Sequence, residues 1–265
     1  MATTPVSSLR HQRNLILATL LVLAAVAWVV LIWQGLQADA EMAMSPTMGM
    51  GVGLWLAIWV AMMVAIMFPT AAPMILMFAQ VTAGKRQRQQ PFVPSWVFVS
   101  AYLLVWTLMG VVAYAAAAEA EWLASQSTWL IANAGRLGGG VLIAAGLYQF
   151  SPLKYRCLVK CRSPLAFIMA SWRNGYGGAF RMGLEHGVYC LGCCWLLFVI
   201  LFPLGMLNVA AMATITLLIF AEKSLPRGHR MAQLGAVVLI AYGLLAVSVP
   251  EILPTIMPGP DGMGM

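Results

Sequence analysis

The stretch Gly183-Leu-Glu-His-Gly-Val-Tyr-Cys-Leu-Gly-Cys-Cys-Trp195 places Glu185, His186, Cys190, Cys193 and Cys194 at the head of an otherwise apolar run. Ionisable and metal-liganding side chains are costly in hydrocarbon and usually mark function there. His186 and Cys190 are four residues apart and Cys190 and Cys193 three apart, so on an α-helix the three share one stripe. Cys194 lies beside that stripe, and Glu185 is rotated roughly 100° away from His186. An imidazole with stacked thiols suits a soft metal. The plainer alternative is that each buried cysteine is a small apolar residue.

Further soft donors lie outside this block. Cys157 and Cys161 sit in a basic segment with Lys154, Arg156, Lys160 and Arg162, whose charges are expected to lower the thiol pKa values. Their spacing allows both sulfurs onto one metal or one face of a helical turn; the alternative is an incidental pair in a basic anchor. Of the 19 methionines, Met42, Met44, Met48 and Met50 form two Met-x-Met pairs between the first two apolar runs. Thioethers select Cu(I) and form no disulfides, so they suit an oxidising face. The methionines of the second apolar run, Met62, Met63, Met67 and Met74, read better as flexible apolar filler. Glu222 is expected to ligate, to accept the second imidazole N–H of His186, or to pair with Lys223 or Arg227 at the membrane interface.

Long apolar elements must position these groups. The chain of 265 residues is 62% hydrophobic and 9% charged, whereas soluble domains are about a quarter charged. Seven apolar runs stand out, near 15–33, 54–79, 96–118, 129–150, 184–204, 206–221 and 231–249. A hydrocarbon layer of ~30 Å takes about 20 residues of helix, and only helices and closed barrels satisfy the backbone there. The runs are too long for barrel strands. The fold class is therefore all-α, a polytopic membrane helical bundle of about seven transmembrane helices forming a single domain over 1–265. The fourth run is the weakest, broken by Arg136 and Gly138-Gly139-Gly140. Gly135-x-x-x-Gly139 and Gly183-x-x-x-Gly187 predict close helix packing.

Basic residues cluster before run one, after run two, before run five and between runs six and seven, all on one side of a seven-span layout. Glu119, Glu121 and Glu251 fall on the other. The positive-inside rule then puts the N-terminus in the cytoplasm and the C-terminus outside. Ala38-Asp39-Ala40 resembles a cleavage site, but the apolar run before it is longer than a signal core, so the segment is expected to remain a span. The charge of +7 points to an anionic lipid leaflet rather than nucleic acid. The outer side carries no cysteine, which argues against structural disulfides. No phosphate loop, serine nucleophile elbow or HExxH signature is present, and three histidines exclude a multi-histidine centre.

Three blocks carry a family resemblance: Met62 to Met74, Glu185 to Trp195, and Asn208 with Glu222-Lys223. In these the chain resembles an uncharacterised bacterial family of predicted metal-binding integral membrane proteins. The resemblance implies metal binding by the His/Cys block and no established reaction. The leading expectation is a multi-pass protein of the bacterial inner membrane. It binds a metal ion, copper rather than zinc, and acts in metal transport, delivery or homeostasis, with the bilayer and a metal chaperone or membrane complex as partners. Two rivals remain: a metal- or thiol-dependent membrane enzyme acting on a lipid, quinone or small molecule, and a non-catalytic subunit of a membrane complex.

Overall fold

The structure is a computed structural model that describes residues 5–37, 45–87, 89 and 92–255. It is all-α, with no strand among the described residues. In chain order the helices are α1 (Pro5–Gln37), α2 (Val52–Gln87), α3 (Ser95–Gln126), α4 (Thr128–Ala132), α5 (Ala134–Gln149), α6 (Pro152–Arg162), α7 (Pro164–Ser171), α8 (Gly175–Val199), α9 (Leu201–Leu204), α10 (Val209–Ser224) and α11 (Gly228–Ser248), followed by a 3₁₀ turn at Pro250–Ile252.

Among the described residues five stretches are long and apolar enough to cross a membrane: Arg10–Gln37, Val52–Arg86, Ser95–Gln126, Gly175–Leu204 and Gly228–Ser248. The two other expected runs fold as shorter helices. Run four breaks at Asn133 into α4 and the 16-residue α5, and run six is the 16-residue α10. At 1.5 Å per residue, sixteen residues reach about 24 Å. The fifth run begins earlier than its apolar pattern, because α8 starts at Gly175. The polar stretch before it is largely helical: Ser151 caps α6 by accepting from the Lys154 amide, with Pro152 at the first turn.

Small residues let the helices approach closely. A Cβ on Gly183 would strike the Phe98 carbonyl and Ala101 of α3, and one on Gly187 would meet Val105. Gly139 of α5 and Gly243 of α11 face each other's carbonyls. These are the close crossings that the glycine spacings predict. Between α2 and α3, Trp59 Nε1 donates to the Trp106 carbonyl at 2.9 Å. Outward faces of α1, α3 and α11 carry exposed valine and leucine, including Val22, Val29, Leu108, Val112, Val237 and Val238. Such a surface is suited to acyl chains and not to water.

Basic residues gather at one end of the bundle. There Lys85 reaches Asn174 and lies over the Trp172 ring, Arg162 caps the carbonyls of Glu222, Leu225 and Pro226, and Tyr155 meets His229 edge-on. Glu121 lies at the far end of α3, where its carboxylate accepts from Ser45 and from the backbone and side chain of Thr47.

Candidate metal centre

Helix α8 supplies three of the four thiols, because positions 190, 193 and 194 share the face it turns inward; all are buried. Helix α6 supplies the fourth. It lies against α8 so closely that a Cβ on Gly192 would stand 2.7 Å from Cys157 Sγ, and this approach delivers Cys161. The sulfurs of Cys161, Cys190 and Cys193 all lie within 4.8 Å of one another. Cys193 Sγ is 3.9 Å from Cys161 Sγ and 3.2 Å from Cys194 Sγ, and it donates to the Cys190 carbonyl at 3.1 Å. Thiols separated like this form a compact soft-donor pocket.

Three groups from other helices converge on Cys190. Met67 of α2 brings its sulfur to 3.8 Å from Cys190 Sγ. Lys223, near the end of α10, brings Nζ to 3.1 Å from Cys190 Sγ and 3.9 Å from Met67 Sδ. Tyr102 Oη lies 3.1 Å from Cys190 Sγ as well. In α2, Pro69 and Pro73 have no N–H to donate back along the helix, and Thr70 Oγ1 turns to the Met67 carbonyl at 3.0 Å.

His186 lies one turn before Cys190 on α8. Its ring stacks on Phe98 and Tyr102, with centroids 5.8 and 5.4 Å away, and Phe167 closes the edge at 5.6 Å. It is buried, and neither ring nitrogen has a hydrogen-bond partner among the described residues. Burying such a group unpaired costs about 1–3 kcal/mol, and His186 lies outside the cysteine trio.

Several expected site residues fall elsewhere. Glu222 neither meets His186 nor pairs with Lys223 or Arg227. It is fully buried against Lys154 Nζ at 2.7 Å and Gln149 Nε2 at 3.1 Å, because α6 brings an ammonium closer than any imidazole. Glu185 points away from the pocket, toward Arg181 Nε at 3.2 Å and Arg173 at 3.8 Å, as its rotation from His186 requires. Cys157 is separated from Cys161, since it packs on Gly192 while only Cys161 reaches the trio. The expected lowering of the α6 thiols also fails. Burial pushes the Cys157 thiol up, and a hydrogen bond with Cys190 leads the rise at Cys161. Of the surrounding cations, Lys154 and Arg162 are engaged by Glu222 and nearby carbonyls. Met42 and Met44 lie outside the described residues. Met48 is buried in a left-handed turn (φ 56°), and the Met50 carbonyl accepts from Tyr114; both lie at the end of the bundle where Glu121 holds Ser45 and Thr47.

Sequence reasoning missed Met67, Lys223 and Tyr102 as neighbours of Cys190. Met67 lies in the Met62–Met74 block and Lys223 beside Glu222, so both signals were present without the geometry to read them.

The chain thus presents a buried four-thiol pocket with a thioether and an ammonium at its edge, inside a helical bundle carrying several candidate membrane spans. The class these features define is an all-α protein with helices long and apolar enough to cross a membrane and a cysteine cluster that could hold a metal ion. A family model described as PpoB2, copper chaperone, matches residues 56–246, and the chain belongs to that family. The match takes in α3 to α10 and nearly all of α2 and α11, and so every helix that contributes to the pocket. No curated protein and no solved structure matches the chain.

Proposed function

We propose that this protein carries Cu(I) in the pocket of Cys161, Cys190, Cys193 and Cys194 and takes part in copper delivery, transport or homeostasis at a bacterial inner membrane. The observation that carries the reading is the mutual approach of three thiols from two helices to within 4.8 Å. Four thiols and the Met67 thioether are a donor set soft enough to favour Cu(I) over harder cations. His186, with both nitrogens unpartnered, is the nearest imidazole able to take over a metal on its way in or out. Because the ion is cargo, a pocket of several close sulfurs serves exchange as well as binding: one thiol can leave the metal while its neighbour holds it.

The reading includes seven spans, with the N-terminus in the cytoplasm and the C-terminus outside. The packing of α5 and α10 against the long α11 supports counting these two shorter helices as spans. The basic end then faces the cytoplasm and places the thiol pocket nearer the reducing side, where thiols persist. The Met-x-Met pairs, expected from the sequence to face outside, would supply or receive copper there. Partners are the bilayer and a metal chaperone or membrane complex; the electrostatics offer no reason to invoke nucleic acid.

The experiment is metal analysis by mass spectrometry on protein purified without a histidine tag in reducing buffer. The wild type retains copper, and Cys190→Ser combined with Cys193→Ser loses it while staying folded. Equal copper in the two proteins would reject the proposal.

A further inference from the structure

Lys223 is an ammonium buried to 9% exposure with no carboxylate at ion-pair distance among the described residues. Its neighbour Glu222 is committed to Lys154. The groups facing Lys223 are Cys190 Sγ at 3.1 Å and Met67 Sδ at 3.9 Å. A buried cation needs a counter-charge, and among the described residues the thiol pocket itself is the source within reach.

We infer that Lys223 is the fixed counter-charge of the metal site and sets its preference for a monovalent soft cation. This rests on the reading of the pocket as a Cu(I) site. A metal-bound cysteine is a thiolate. Two thiolates, such as those of Cys190 and Cys193, around Cu(I) leave one surplus negative charge. The Lys223 ammonium cancels it, and the loaded pocket is neutral as a whole. At any given number of thiolates the Zn(II) complex is one charge more positive than the Cu(I) complex, so the fixed Lys223 ammonium favours Cu(I) over Zn(II) by that one charge. The residue therefore favours one soft cation over the other without touching either. It acts through Cys190 and is a specificity-determining neighbour of the ligands.

The test uses the full-length protein in detergent. Cu(I) affinity is measured by competition against a chromogenic Cu(I) chelator, and Zn(II) affinity by competition against a zinc chelator, for the wild type and Lys223→Met. Removing one partner of a buried charge pair typically costs enough to lower affinity roughly 100-fold or more. The expected result is a loss of that order for Cu(I), with a clearly smaller loss or none for Zn(II). Lys223→Gln, polar and uncharged, gives the same pattern and serves if the methionine variant does not fold. Unchanged Cu(I) affinity overturns the inference, as does an equal fall for both metals, which is the mark of a merely structural lysine. A wild type that binds no Cu(I) contradicts the underlying reading of the pocket. Wild-type binding with an indifferent Lys223→Met contradicts only the role of Lys223.

Discussion

Around Glu222 a buried charge meets its opposite: Lys154 Nζ at 2.7 Å, with Gln149 beside it. Around Lys223, one residue on, the ammonium meets only sulfur, from Cys190 and Met67. The first region is closed. A carboxylate, an ammonium and an amide tie α10 to α6 and α5, and the two charges answer each other, with only Gln149 Oε1 left without a partner among the described residues. The second region is open in the chemical sense: its charge is faced by thiols that change state when a metal arrives. The difference separates what fixes α10 in place from what that placement is for. It also explains why a lysine and a glutamate side by side in sequence do not pair with each other.

This contrast is broken most strongly by Glu222→Ala. It strands Lys154 and costs about 3–5 kcal/mol, as breaking a buried ion pair does. Thermal unfolding in detergent should drop sharply, with copper lost only because the fold is lost. Gly192→Ala comes next. The new methyl meets Cys157 Sγ and pushes α6 from α8, at about 1–3 kcal/mol for overpacking. Copper affinity should fall with it, because Cys161 rides on α6; unchanged affinity would show that Cys161 is dispensable. Met67→Leu preserves volume and should cost under about 1.5 kcal/mol in stability. It removes a soft donor near Cys190, so copper affinity should weaken several-fold, roughly 1 kcal/mol or less, while the melting temperature holds. The smallest effect belongs to Glu185→Gln. Its partners Arg181 and Arg173 are well exposed, and such surface pairs contribute about 0–1 kcal/mol. Copper content should not change, and a loss there would bring Glu185 back as a ligand.

The legible part of the fold was the set of long apolar runs and the close crossings at Gly139 and Gly183, since hydropathy and small-residue spacing act locally. The legible part of the site was the α8 stripe, because helical periodicity alone puts Cys190 and Cys193 on one face. Partner choice across helices was not legible. Whether Glu222 takes His186, Lys223 or Lys154 depends on where α6 lies, and α6 looked like a basic loop. Met67 read as filler because a thioether is apolar until a thiol stands beside it. Cys157 and Cys161 looked like a pair, and only the contact of α6 with Gly192 sends one to packing and the other to the pocket.

The most direct test of the copper site is X-ray absorption at the copper edge, on the wild type loaded with Cu(I) and on Cys190→Ser with Cys193→Ser treated identically. The account predicts a first shell made of sulfur in the wild type and loss of that shell in the double variant. A first shell of nitrogen and oxygen in the wild type, or a sulfur shell that survives removal of both cysteines, would contradict it.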